Sequence, residues 1–439
     1  MNSSSTKSDL FRDSAQNYLV GGISSSFRIN PFTGKSLYLN RANGPFIYDL
    51  DGREYIDFFM GHGACPLGHN RPEIKVLLDE ILKGGFYGEY EHPYAMELAR
   101  KIVEHVPSAE KVRYVNSGTE GTMLALRLAR GYTGRSKIVR IDGHFHGGHD
   151  YVLGHNLVGL RDQQNPGDRL SSYGPAPAGT PQVIQETLYL IPWKRPEVFE
   201  KLANEKGGEI AALLLNPIDF NNGCIGSTSE YLQAMRDICD RHGIVLIFDE
   251  ILAGFRTGIS CAQGYYGVTP DLTLLGKALS NGVPLGAIAG KEEIMMKIMD
   301  PVEPVIAGGT YSGNALGSAA GVAAMRIMET PGFYEEWHTR TAGFMENLQS
   351  SFDEVGFPAR VQNLGCGFYI YVGTRDPIEN YDDFAKLNPE LANTFFRKCI
   401  DKGVYFHTDF TVSALHDEAT LSKAANLIRD AAWETRGER

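Results

Sequence analysis

The sequence predicts an α/β protein whose larger domain is a mostly parallel β-sheet covered by helices. Apolar and helical segments alternate between residues 110 and 290, which is typical of strands joined by right-handed helical crossovers. Two of the apolar runs, 244–248 and 272–275, have the length and the β-branched content of buried strands. Ligands of such sheets bind at the carboxyl ends of the strands. The residues that follow these runs are therefore the first candidates for function.

Length and composition indicate a folded enzyme with two domains. A chain of 439 residues is longer than one ordinary core organises, and 43% hydrophobic with 22% charged residues is typical of globular proteins. The 53 acidic residues outnumber the 42 basic ones, which gives a net charge of −11. Because no Lys/Arg-rich run interrupts this balance, we expect no nucleic-acid partner. The apolar runs are too short for a membrane span.

Cysteine usage and the N-terminal segment predict a cytoplasmic protein. The six cysteines contain no Cys-x-x-Cys pair, and a chain of this size forms a core without disulfides. Residues 1–9 are polar and lack the apolar stretch of a secretory signal. We expect residues 1–15 to form a frayed polar tail.

Each of the two buried runs is followed by a charged residue that a buried strand does not ordinarily carry, namely Asp249 and Lys277. A buried ion pair is one interpretation of these residues. The other is a site for pyridoxal phosphate (PLP), in which the lysine forms a Schiff base and the carboxylate keeps the pyridine nitrogen protonated. Gly276 and the small-residue turn 280–286 favour the second interpretation, because they would let a flat ligand approach Lys277 closely.

The segment 116–120, Asn-Ser-Gly-Thr-Glu, lies between an apolar strand and a helix predicted over 122–132. Small residues at a helix N-terminus form an anion site, since unbonded N–H groups and the helix dipole point at the bound charge. An ordinary N-cap would explain the segment taken alone. From the residues alone, both interpretations stay open for Ser117, Gly118 and Thr119.

These motifs, in this order, resemble the class III, fold-type-I PLP-dependent aminotransferases. Within them they resemble the branch that holds glutamate-1-semialdehyde 2,1-aminomutases and β-amino-acid aminotransferases. The resemblance extends from about Tyr18 to the final helix. It implies a mostly parallel, seven-stranded large domain and a small α+β domain built from both chain ends, and also a homodimer with shared active sites. We place the segments at 1–65 (joining the small domain), 66–315 (large) and 316–439 (small).

The resemblance implies that Ser117, Gly118 and Thr119 bind the cofactor phosphate, and it implies further cofactor contacts. Phe145, in an aromatic-His-Gly triplet, would stack on the pyridine ring, with His146 behind it. Ile251, close to Asp249, belongs to the same cofactor-binding set. Asn216 follows a buried strand where most relatives carry glutamate, so one negative charge near the ring is missing. This departure is expected to tune the cofactor without abolishing binding.

The histidines at 144, 146 and 149 have residue types and a spacing that a metal site could use. A zinc site needs a fourth ligand, or an open position with supporting hydrogen bonds, and the sequence offers neither nearby. We therefore predict a cofactor-ring segment here and no metal.

Three residues are assigned to the substrate or to the partner subunit by the same resemblance. Arg28, in a Gly- and Ser-rich segment, matches an arginine that holds the substrate carboxylate, for which a guanidinium is suited. Tyr87, in an aromatic loop, is assigned to the substrate, with core packing as the alternative. Thr310, in the segment 308–314, would reach the phosphate bound by the partner subunit, with a capping turn as the alternative.

The predicted activity is transfer of an amino group from an α- or β-amino acid, or a related amine, to a carbonyl acceptor through pyridoxamine phosphate. The mutase branch carries a Phe-Glu-Ala triplet after its last strand, whereas residues 405–417 here lack that glutamate. An intramolecular 2,1-aminomutase is the alternative. A non-catalytic PLP-binding protein is disfavoured, because binding alone would not require Lys277.

Overall fold

The computed structural model describes residues 6–86, 88–153 and 178–437. The chain forms two compact units: the first comprises Met1–Pro72, Glu335–Ile378 and Asp383–Arg439, and the second comprises Glu73–Tyr334 and Glu379–Asp382. Both chain ends thus contribute to the first unit. The helix Ala315–Met328, which the predicted boundary at 315 assigned almost wholly to the small domain, lies in the second unit.

The strands are numbered along the chain. They are β1 Leu39–Asn43, β2 Phe46–Asp49, β3 Glu54–Asp57, β4 Lys111–Val115, β5 Lys137–Ile141, β6 Leu188–Ile191, β7 Ile210–Leu215, β8 Ile218–Asp219, β9 Ile225–Gly226, β10 Val245–Asp249, β11 Leu272–Leu275, β12 Gly286–Gly290, β13 Ala359–Leu364, β14 Gly367–Val372, β15 Val404–Tyr405 and β16 Phe410–Thr411.

The helices are numbered in the same way. They are α1 Lys7–Ala15, α2 Met60–Gly63, α3 Pro72–Gly84, α4 Pro93–His105, α5 Gly118–Thr133, α6 Gln182–Gln185, α7 Pro196–Lys206, α8 Ser229–His242, α9 Cys261–Tyr266, α10 Glu292–Met295, α11 Ala315–Met328, α12 Phe333–Glu354, α13 Pro389–Asp401 and α14 Glu418–Arg436. Short 3₁₀ turns include Ser26–Arg28, Lys277–Ser280 and Tyr381–Lys386.

The second unit is organised around a seven-stranded sheet with the order β4-β12-β11-β10-β7-β5-β6. β12 is antiparallel to both of its neighbours, and the other adjacent pairs are parallel. Every residue of β7 and of β10 is buried, as expected for parallel strands covered on both faces. The predicted α/β class with a mostly parallel seven-stranded large domain is confirmed.

The first unit is α+β. It contains a four-stranded sheet, β1-β2-β3-β15, and a three-stranded sheet, β13-β14-β16. Its core is rich in phenylalanine and combines residues near position 58 with residues from 344 to 432, so distant parts of the chain share one core. The predicted hairpin around Asp51-Gly52 is present, because β2 pairs antiparallel with β3.

The N-terminal expectation of a frayed tail is wrong for the residues described there. Residues Lys7–Ala15 form helix α1, and the Thr6 side chain caps it by accepting the N–H of Asp9. Asp51 also accepts the backbone N–H of Lys7 at 2.7 Å, which attaches the start of the helix to the β2–β3 turn. A polar composition did not reveal this contact, because it joins residues 44 positions apart.

Candidate active site

The strand order brings several of the predicted site residues, including Asp249 and Lys277, to one edge of the seven-stranded sheet. Asp249 is the last residue of β10 and lies opposite Leu274 of β11 in the parallel register. Lys277 follows the end of β11 by two residues, and β4, β5 and β7 end at the same edge. Segments that are distant in sequence therefore meet, as expected at the carboxyl ends of parallel strands.

Lys277 occupies an unusual backbone conformation. Its φ is +47°, in the left-handed region that costs a non-glycine residue about 1 kcal/mol. The residue opens the 3₁₀ turn Lys277–Ser280 and is half-buried. A strained, half-buried lysine at the end of a buried strand is held there by its surroundings, which fits a functional role better than a surface role.

The segment 116–119 forms the start of α5, as expected for an anion site. Ser117 is the N-cap, and its hydroxyl accepts the N–H of Glu120 at 3.1 Å. The Thr119 hydroxyl accepts the N–H of Gly148 at 3.1 Å, which ties this helix start to the segment that follows β5. The first N–H groups of a helix have no intrahelical acceptor, so this end of α5 can bind a phosphate.

Ile251 connects the helix start with the lysine turn. A Cβ placed on Gly118 would lie 2.5 Å from Cδ1 of Ile251, and one placed on Gly276 would lie 3.3 Å from its Cγ2. Ile251 therefore packs directly against Gly118, and a larger residue at 118 would displace the end of the Ile251 side chain. The predicted residues Gly118, Ile251 and Lys277 are consequently brought together in one small region.

Asp249 is buried and receives two N–H donors. His146 Nδ1 lies 2.8 Å from Oδ2 of Asp249, and the N–H of Ile251 donates to Oδ1 at 3.1 Å. Burial lowers the pKa of His146, with the hydrogen bond to Asp249 opposing it. A neutral His146 donates from Nδ1 and leaves Nε2 as an acceptor, and that Nε2 has no hydrogen-bond partner among the described residues.

Phe145 and Asn216 lie beside this pair. The backbone N–H of Asn216 donates to Nδ1 of His144 at 3.0 Å, and the Asn216 amide lies 3.5 Å from the carbonyl oxygen of Phe145. Phe145 is half-buried, so part of its ring is accessible to a ligand. Asn216 thus holds the turn that carries Phe145.

The histidines of this turn have separate hydrogen-bond roles. His144 accepts from the Asn216 backbone, His146 pairs with Asp249, and His149 Nε2 lies 3.0 Å from the Thr122 hydroxyl. Among the described residues, three metal-ligand side chains converge only elsewhere, at Glu104, His105 and Glu329. There Lys101 donates to both carboxylate oxygens of Glu329, so ion pairing explains that group.

The sequence did not single out Thr122 as a site residue. Its hydroxyl lies 2.9 Å from the carbonyl oxygen of His146, and this contact supports the histidine that orients Asp249. A threonine in the first turns of a helix is common, so only the fold reveals this role.

Three predicted residues remain, namely Arg28, Tyr87 and Thr310. Arg28 lies in the exposed turn Ser26–Arg28 of the first unit. Tyr87 lies outside the described residues. Thr310 is exposed in the second unit, and its carbonyl oxygen accepts the N–H of Glu89 at 3.1 Å. Among the described residues, no helix combines the length and apolar character that a membrane crossing requires.

Comparisons with known proteins find relatives that match nearly the whole chain. The model of the family Aminotransferase class-III matches residues 31–426. The chain is 37% identical over 427 residues to glutamate-1-semialdehyde 2,1-aminomutase of Desulfotalea psychrophila (strain LSv54 / DSM 12343), with 96% of each chain covered. An omega-transaminase from Sphaerobacter thermophilus has a TM-score of 0.92 and 28% identity over 99% of both chains. A transaminase with PLP bound has a TM-score of 0.87 and 25% identity over 98% of both chains.

The residues present fit PLP. The start of α5 suits the phosphate, Asp249 suits a protonated ring nitrogen, Phe145 offers an aromatic face, and Lys277 offers an amine for the aldehyde. The family model spans most of the chain, and the aminomutase relative is matched almost from end to end. The chain belongs to the class III aminotransferases.

Proposed function

We propose that this protein is a PLP-dependent aminotransferase that passes an amino group from an amino acid, or a related amine, to a separate carbonyl compound. The observation that carries the proposal is the strained Lys277 beside the strand end that presents Asp249, whose carboxylate is oriented by His146. A lysine and an oriented carboxylate at one sheet edge are the two groups that PLP chemistry requires of a protein.

When bound, PLP supplies an aldehyde that condenses with amines and a ring that takes up electrons from the adjacent carbon. The amine of Lys277 would hold the cofactor and, when free, Nζ would accept the proton from the amine-bearing carbon of the substrate as a positioned base and later return it as an acid. Asp249 keeps the ring nitrogen protonated, and His146 keeps Asp249 in place. Ser117, Gly118 and Thr119 bind the phosphate.

The absence of the mutase glutamate favours transfer between separate molecules. In the stretch from β15 to β16 the acidic residue is Asp409, which is fully buried and forms an ion pair with His62. This carboxylate is therefore committed to a contact within the first unit. We therefore do not assign it the role of the glutamate that the mutase branch carries after its last strand.

An intramolecular 2,1-aminomutase is the second candidate, because the chain is 37% identical to a protein of that activity. The two activities differ in one observable respect. An aminotransferase with an amine donor alone should stop after one turnover, with the cofactor left as pyridoxamine phosphate. A screen of amine donors by absorbance, with and without an added carbonyl acceptor, tests the proposal. Complete conversion of one aminoaldehyde without an acceptor would establish the mutase instead.

Arg28→Ala is expected to impair carboxylate-bearing substrates selectively. Loss of a bidentate, charge-assisted contact costs about 2–4 kcal/mol, or roughly 30- to 1000-fold in kcat/KM. Amines without a carboxylate should be affected far less, and the ratio of the two losses is the measured quantity. Arg41→Ala, in β1 of the same unit, serves as the control. Equal losses for both substrate classes would remove the carboxylate role of Arg28.

We also propose a cytoplasmic homodimer in which Thr310 reaches the partner's phosphate. None of the six cysteines is in a disulfide, which is compatible with a reducing compartment. The carbonyl oxygen of Thr310 accepts the N–H of Glu89 in the same chain. A Cβ placed on the neighbouring Gly309 would lie 3.7 Å from the side-chain nitrogen of Asn116, which precedes the predicted phosphate residues. The alternative is that Thr310 contacts the phosphate bound by its own subunit.

Mixed dimers of Lys277→Ala and Thr310→Ala subunits distinguish these alternatives. If Thr310 crosses the interface, one site of each heterodimer contains both defects and the other contains neither. We then expect activity to be restored to about half of the wild-type value per heterodimer, measured after purification with two different affinity tags. If both homodimers are impaired and the heterodimer shows no restoration, Thr310 acts in its own subunit.

A further inference from the structure

A buried carboxyl group with four donors lies near the turn that carries Phe145 and His146. Asp219, the last residue of β8, is 0% exposed. Its Oδ2 accepts the Tyr381 hydroxyl at 2.5 Å and the Asn222 amide at 2.8 Å. Its Oδ1 accepts the backbone N–H groups of Asn221 at 2.9 Å and Asn222 at 3.3 Å. Burial raises the pKa of Asp219, and these donors oppose that effect by stabilising the charged form.

Tyr381 is supplied by a remote part of the chain. It lies between β14 and α13, which belong to the first unit, yet the four residues Glu379–Asp382 cluster with the second unit. Lys194 donates to the carbonyl oxygen of Glu379. The Tyr381 ring lies 5.3 Å from the ring of Trp193 and 6.4 Å, nearly perpendicular, from the ring of His144. The segment is thus held by polar and aromatic contacts together.

Asn222 connects Asp219 with residues 143–146, the segment that carries Phe145 and His146. The Asn222 amide that donates to Asp219 also donates to the carbonyl oxygen of Gly143 at 3.1 Å. A side-chain amide has two hydrogens, so both bonds form at once. Gly143 and His144 directly precede Phe145 and His146. The hydrogen bond to Gly143 therefore restrains the start of the segment 143–146 and, with it, the positions of Phe145 and His146.

We propose that Tyr381 is a positioning residue for the cofactor: it orients Asp219, and Asp219 acts through Asn222 to hold the turn that presents Phe145 to the ring and His146 to Asp249. The inference rests on the proposed function, since it requires that PLP binds at Lys277.

Tyr381→Phe tests the proposal, because it removes the hydroxyl and retains the ring packing. The readouts are the visible circular dichroism of PLP in the holoenzyme and the dissociation constant of PLP. We expect a weaker dichroic band and roughly five- to tenfold weaker PLP binding, the latter being the size expected for one buried hydrogen bond. Asn222→Ala should act in the same direction. The double variant should be no worse than the more severe single variant, because both act through Asp219.

Tyr132→Phe is the matched control. Tyr132 also donates to a carboxylate, Glu293 at 2.9 Å, but it lies near the C-terminal end of α5, away from the phosphate-binding start of that helix. If Tyr381→Phe and Asn222→Ala match this control in dichroism and PLP affinity, the proposal is wrong, whatever their thermal stability. If the wild-type protein binds no PLP, the proposed function itself fails, so the two failures are distinguishable.

Discussion

Borohydride treatment of the purified protein is expected to attach PLP covalently to Lys277, and Lys277→Ala is expected to lower turnover by about 10⁴-fold. The lysine amine has two tasks in the proposed mechanism, holding the cofactor and moving a proton, and proton transfer alone contributes about 10²–10⁴-fold. Lys277 follows the end of β11 in a strained backbone conformation, which places its amine at this edge of the sheet.

Peptide mapping of the reduced protein and steady-state turnover are the two measurements. Lys206→Ala is the control and should change neither the labelled peptide nor the turnover. Lys206 is at the exposed end of α7, where its amine lies 3.6 Å from a Glu209 carboxylate oxygen. A label on a lysine other than Lys277 would overturn the site assignment as a whole. Retention of turnover in Lys277→Ala would contradict the catalytic role of Lys277.

Asp249→Ala is expected to lower turnover by about 10³-fold while PLP remains bound. The carboxylate is needed to keep the ring nitrogen protonated as electrons move into the ring, and removing one such electrostatic contact costs about 10²–10³-fold. Loss of the His146 partner adds to the defect. Binding is expected to persist, because the proposed phosphate site at the start of α5 and the amine of Lys277 are unchanged in this variant.

The measurements for Asp249→Ala are turnover and the visible absorbance of bound PLP. Asp249→Asn keeps the shape of the side chain without its charge, so it should resemble Asp249→Ala in turnover. Asp240→Ala is the surface control, because Asp240 is mostly exposed and pairs with Arg236. Unchanged turnover in both Asp249 variants would mean that another group holds the ring nitrogen.

The fold class could be predicted, and candidate site residues could be named, because their signals in the sequence are local. The buried strands are continuous apolar runs, and a charge at the end of such a run is conspicuous, as at Asp249 and Lys277. The phosphate segment is a short motif in which helix capping follows from residue type. The order of these motifs along the chain was sufficient to indicate the family, and the family model confirms it.

The supporting contacts were decided only by tertiary structure, because they join residues far apart in sequence. His146 meets Asp249 across 103 positions, and Tyr381 meets Asp219 across 162. Nothing local marks Thr122, Asp219 or Tyr381, whose residue types are common in helices and loops. Strand order brings these side chains together, and burial makes each hydrogen bond costly to lose. The sequence therefore determines which groups can do the chemistry, and the packed sheet determines which groups hold them in place.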